Sequence, residues 1–111
     1  MPLLRDQILA STDLPKTEVD VPEWGGSVFV RVMSGAERDA FEVAHQLSAK
    51  DNVRARLVAF CACDAAGVLL FSPDDVDDLG NTSAAALDRL FAVAVKINRL
   101  SKKDVDELQK N

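Results

Sequence analysis

Polar and apolar residues alternate in two short stretches near the start of the chain. These are Thr17-Glu18-Val19-Asp20-Val21 and Val28-Phe29-Val30-Arg31-Val32, and a period of two marks a strand with one buried face. Between them, Pro22-Glu23-Trp24-Gly25-Gly26 holds two glycines able to take the positive φ angles of a tight reversal. The pattern predicts a β-hairpin with Val19, Val21, Val28, Val30 and Val32 on one face and Phe29 on the other. A hairpin alone is marginal in water, so the valine face must rest on something else.

The rest of the chain supplies helices for it to rest on. Ser34-Gly35-Ala36-Glu37 has capping-box spacing, and the helix it opens lines up Ala36, Ala40, Phe41, Ala44 and Leu47. Asp51 or Asn52 caps a second helix with the stripe Val53, Leu57, Phe60 and Cys61, leaving Arg54 and Arg56 toward solvent. Asp64-Ala65-Ala66-Gly67 reads as a turn and Val68-Leu69-Leu70-Phe71 as a short strand. Ser72-Pro73-Asp74-Asp75 is a helix start with Pro at the first position and acids in the first turn, and Gly80 ends that helix. Thr82 or Ser83 opens the clearest helix, which carries Leu87, Leu90, Phe91, Ala94 and Ile97. Ser101 caps a last one whose only apolar side chains are Val105 and Leu108.

The expected architecture is α+β: a mostly α-helical single domain over 1–111 with one β-hairpin packed on a helical core. It divides into an N-terminal arm with a short helix (1–16), the hairpin (17–32) and a helical part (34–111). Helices are expected over about 34–50, 53–63, 73–79, 83–99 and 102–109. The expected core is Val19, Val21, Val28, Val30, Phe41, Leu57, Phe60, Leu87, Leu90, Phe91, Ala94 and Ile97.

Composition narrows the function. At 111 residues with 48% hydrophobic content the chain is long enough to bury a core. Its net charge of −5, without a basic block or a tyrosine, disfavours nucleic acid and anionic membrane as partners, because affinity for phosphates rests on Lys and Arg. Pro2-Leu3-Leu4 runs straight into Arg5-Asp6, unlike a signal peptide, and no apolar run approaches a membrane span. A cytoplasmic location is expected.

The inventory for chemistry is thin. His45 is the only histidine; it lies in a charged helical stretch and is expected in solvent. No Gly-x-Ser-x-Gly elbow accompanies it. Cys61 and Cys63, two residues apart in an apolar helical stretch, are expected as inert buried fillers rather than a disulfide. Three Cys and His residues are too few for a zinc site, and there is no phosphate-binding glycine loop. A calcium loop begun at Asp75 fails at its fifth and twelfth positions, Leu79 and Ala86. Asp74, Asp75, Asp77 and Asp78 are therefore expected as solvated acids near a helix N-terminus. No catalysis, cofactor or metal is expected. The apolar groups least explained by the core are Trp24 at the hairpin tip, Phe29 on the far face, and Val105 and Leu108. These four are the candidate partner contacts, since aromatic anchors are favoured in interfaces and a helix with two apolar residues is not stable alone.

Taken together, these residues resemble the tail assembly chaperones of long-tailed bacteriophages. The matching pieces are Val21-Pro22-Glu23-Trp24-Gly25-Gly26, the run Ser34 to Phe41, Arg54-Ala55-Arg56-Leu57-Val58, the turn Asp64 to Gly67, and Leu70-Phe71-Ser72. The longest runs from Asp74 to Gly80 and on through Ser83 to Phe91, and Asn98-Arg99-Leu100-Ser101 closes the set. The resemblance implies a non-enzymatic protein of the host cytoplasm, absent from the mature virion. It implies binding to the tape measure protein, which is kept soluble, and help in recruiting tail tube subunits. It predicts self-association or helix-in-groove contacts. It also implies a longer form made by −1 ribosomal frameshifting. Gln109-Lys110-Asn111 is compatible with the codons CAA-AAA-AAC, which contain the slippery run A-AAA-AAC. The alternatives are a minor structural tail or head-completion protein and an acidic antitoxin-like or adaptor module.

Overall fold

A computed structural model describes residues 1–109 of the chain. Lys110 and Asn111, on which the frameshift expectation partly falls, lie outside the described residues.

The two alternating stretches pair as β1 (Lys16–Val21) and β2 (Gly26–Arg31), antiparallel, with Val19 opposite Val28 and Thr17 opposite Val30. Their connection is a 3-10 turn over Pro22–Trp24 closed by Gly25 at φ 75°, a left-handed angle that glycine adopts without steric cost. Val21 and Val30 are buried, and Val19 and Val28 pack half-covered beside them on the core. The α+β architecture is as expected, and the hairpin gains a third strand. Ala62 and Cys63, expected at the end of a helix, leave it and pair with Val30 and Phe29 as β3 (Ala62–Cys63). The stretch expected as a strand at Val68–Phe71 contributes only a single bridge, Leu69 to Cys63. Val68 and Leu70 face solvent.

Around the sheet stand α1 (Arg5–Leu9), α2 (Gly35–Leu47), α3 (Val53–Cys61), α4 (Val76–Gly80), α5 (Ala84–Ile97) and α6 (Lys102–Gln109). Several starts follow the capping chemistry of the sequence. The Ser34 hydroxyl accepts from the Glu37 amide at 3.1 Å while Glu37 accepts from the Ser34 amide at 2.8 Å. Ser101 and Asp104 repeat that box at α6, and Ser83 accepts from Ala86 at α5.

The core lies between the valine face, α3 and α5, with Leu57, Leu90, Ala94 and Phe41 closing it. Helix α3 is buried from Ala55 to Cys61 all the way round. Arg56, expected toward solvent, is therefore inside, while Arg54 remains outside on Asp88. The buried line of α2 is also not the one expected: Phe41 and His45 face inward, whereas Leu47 is 84% exposed and Ala36 and Ala40 are exposed. Phe41 and His45 are four residues apart and so share one helix face. A purely apolar pattern passes over that face because one of its members is a histidine.

Candidate partner-binding surfaces

Helix α6 is held by polar contacts as much as by its two apolar side chains. His45, 1% exposed, stacks on Phe41 with ring centroids 5.9 Å apart. Its Nε2 lies 2.6 Å from the Leu108 carbonyl. A carbonyl only accepts, so the proton sits on Nε2 and the Nδ1 lone pair accepts from Arg56 Nη1 at 3.2 Å. The same Arg56 nitrogen donates to the Asp51 carbonyl. Burial lowers the Arg56 pKa, against the opposing charges of Asp51 and Asp77. Lys50 Nζ donates to the Glu107 carbonyl at 3.2 Å. The last turn of α6 thus places carbonyls on a histidine and a lysine, where a helix carries its partial negative charge. His45, expected in solvent, is the buried centre of this junction. No sequence signal marks it beyond its spacing from Phe41.

The four candidate contacts stand on different elements. Val105 and Leu108 are half-buried and pack against the core from α6. Phe29 lies on the sheet face away from the valines, half-covered, with Lys16 Nζ 5.8 Å from its ring centre. Trp24 is the exposed one of the four, at 36%. Its turn is fixed beside α5 by the Glu23–Arg89 ion pair at 3.0 Å, and that hydrogen bond lowers the Glu23 pKa. The fold brings Val105 and Leu108 together on one helix and leaves Trp24 and Phe29 on the hairpin.

On the same outer face of the sheet, Arg31 is buried and grips Glu37 with both terminal nitrogens, at 2.9 and 2.6 Å. This contact lowers the Glu37 pKa and raises that of Arg31. Both thiols are buried and unpaired. Burial pushes Cys61 up to about 12 and also raises Cys63. A thiol so shifted stays protonated at neutral pH and is a poor nucleophile. Asp75 serves as the reciprocal cap of Ser72, and Asp77 accepts from the Asn52 side-chain Nδ2. Among the described residues, no group of three or more His, Cys, Asp or Glu side chains converges as a metal site. Nor is any helix there long and apolar enough to cross a membrane.

A third surface was missed by sequence reasoning. A groove of about 740 Å³ runs between β1 and α5, with Val19, Val93 and Ile97 at its base. Glu18 and Asp20 stand on one wall and Arg89, Lys96 and Arg99 on the other. It forms where an edge strand meets a helix, so neither periodicity alone reveals it.

This fold, a three-stranded antiparallel sheet laid on a helical core, is similar to that of one solved protein. The solved structure of the bacteriophage HK97 tail assembly chaperone matches over 86% of this chain and 95% of that one, with a TM-score of 0.59 at 24% identity. No protein-family model and no curated protein sequence matches the chain.

Proposed function

We propose that this chain is a non-enzymatic tail assembly chaperone, working in the cytoplasm of an infected host and absent from the finished particle. It holds the tape measure protein in soluble form and helps recruit tail tube subunits. A longer, frameshifted form works beside it. The observation that carries this reading is the fold similarity over most of both chains to the bacteriophage HK97 tail assembly chaperone. The chemistry is consistent with it: the thiols are buried and protonated, and the one histidine is committed to a structural junction.

Client contact begins at Trp24, already exposed beside the α5 groove. Phe29 extends that contact across the hairpin. Val105 and Leu108 join only when α6 lifts, since both pack on the core.

Mass spectrometry of purified particles, set against lysates taken during assembly, tests the reading. The chain is expected in the lysate and missing from the particle. A stoichiometric presence in the particle would replace the chaperone with a structural tail or completion protein.

A further inference from the structure

Strand β1 has one open edge, because it pairs only with β2. The Val32 amide donates to the Pro15 carbonyl at 2.9 Å, which makes those two residues a hydrogen-bonded pair. Such pairs recur at every second residue of an antiparallel ladder, so Thr17, Val19 and Val21 turn their peptide groups toward β2. Lys16, Glu18 and Asp20 turn theirs outward. Among the described residues, no backbone group of another element bonds to these three. Folded proteins normally cover or guard an edge of this kind. Here the β1–α5 groove opens onto it. Thr17, Glu18, Val19 and Asp20 all line the groove. Successive side chains of a strand point to opposite faces, so what these consecutive residues share is the strand's edge.

We propose that this edge takes an extended segment of a different protein, which adds to β1 as a fourth, antiparallel strand. The side chains around the edge set the sequence of that segment. On the valine side, its residues meet Val19, Val93 and Ile97 at the base of the groove, with Lys96 and Arg99 beside them. Apolar residues fit these positions and basic ones are repelled. On the outer side, residues directly opposite Glu18 and Asp20 are basic and the one opposite Lys16 is acidic, since opposite charges across a strand pair stabilise and like charges destabilise. Read antiparallel to β1, the segment is basic–apolar–basic–apolar–acidic. A helix does not fit as well, because it cannot use the outward peptide groups. Pairing of two β1 edges about their middle would set Glu18 of one copy against a carboxylate of the other, so the charges point to a partner of different sequence. The proposal rests on the reading of this chain as one that holds other proteins, and it adds the edge and the pattern by which it does so.

The test titrates a synthetic peptide, Lys-Val-Lys-Val-Glu flanked by threonines and blocked at both ends, into the isotope-labelled full chain, read by NMR shifts and amide exchange. The peptide is expected to bind and to slow exchange at the Lys16, Glu18 and Asp20 amides. In the proposed register the peptide's lysines turn their amides to β1 and its valines turn theirs away. N-methylation of the lysines is therefore expected to weaken binding at least about tenfold, while N-methylation of the valines leaves it intact. The variant Glu18→Lys/Asp20→Lys alters only exposed side chains. It is expected to keep its thermal midpoint, to lose the same factor for this peptide, and to prefer Glu-Val-Glu-Val-Glu in its place. No binding at millimolar peptide overturns the proposal, as does binding indifferent to lysine N-methylation or to the charge reversal. Edge amides already slow in the free chain also overturn it, because a second copy or another part of the chain would then cover β1. The probe is not a phage protein, so each of these results is independent of whether the chain is found in purified particles.

Discussion

His45 shows how one polar side chain can belong to a core. Its ring is buried on Phe41, and both nitrogens are used, one by α6 and one by Arg56. Replacing it by Phe keeps the stack but leaves the Leu108 carbonyl and the Arg56 nitrogen short of a partner. The expected cost is about 1–3 kcal/mol, with faster amide exchange concentrated in α6, and denaturant titration with hydrogen exchange reads both. Phe91, buried in α5 against the core, is the apolar counterpart. Phe91→Ala is expected to cost roughly 3–5 kcal/mol, and a near-neutral result in chemical denaturation would mean that α5 turns another face inward. Glu37 adds a pH dependence. Its pKa is lowered in the fold, first by the Arg31 hydrogen bonds, so the stabilisation is complete above the unfolded carboxylate value of about 4.3. It is lost as pH falls through the lower folded value. Thermal midpoints of Glu37→Gln and the parent protein should therefore differ near neutrality and converge in acid. A difference that persists at the lowest pH would contradict the ion pair's role.

At the scale of elements, most of the fold was legible because period and caps agreed. The alternation of Val19, Val21, Val28 and Val30 located the hairpin, and Ser34, Ser83 and Ser101 located three helix starts. What was not legible depended on tertiary partners. Ala62 and Cys63 are as apolar as the helix before them, and only the open edge of β2 draws them into the sheet. Arg56 looks like a surface residue until the Asp51 carbonyl and His45 are placed around it. Of the four candidate contacts, Trp24 could be placed from its glycine-flanked turn. The groove beside it could not, since it needs β1 and α5 side by side.

The α2–α3 connection is costly for a related reason. Ala49, Lys50 and Asn52 all have φ between 52° and 62°, an arrangement that disfavours a Cβ by roughly 1–2 kcal/mol per residue. It is held by the Lys50 amide on the His45 carbonyl and by the Lys50 side chain on α6. Ala49→Gly relieves one such position and is expected to stabilise the protein by up to about 1 kcal/mol, after the added freedom of the unfolded chain is subtracted. A lower denaturation midpoint for that variant would show that the turn carries no strain at Ala49.

The whole molecule has acidic net charge, a compact core with its thiols sealed inside, and its open features at the edges: the arm, the β1–α5 groove and the hairpin tip. Such a body suits holding another protein through spread, individually weak contacts, which gain strength when several act together. The most direct test is co-expression with the tape measure protein of the same phage, followed by a solubility assay and a pull-down. The tape measure protein is expected to be insoluble alone and to become soluble and co-purify with this chain, with Trp24→Ala reducing the yield. A tape measure protein that neither binds nor gains solubility would contradict the chaperone role.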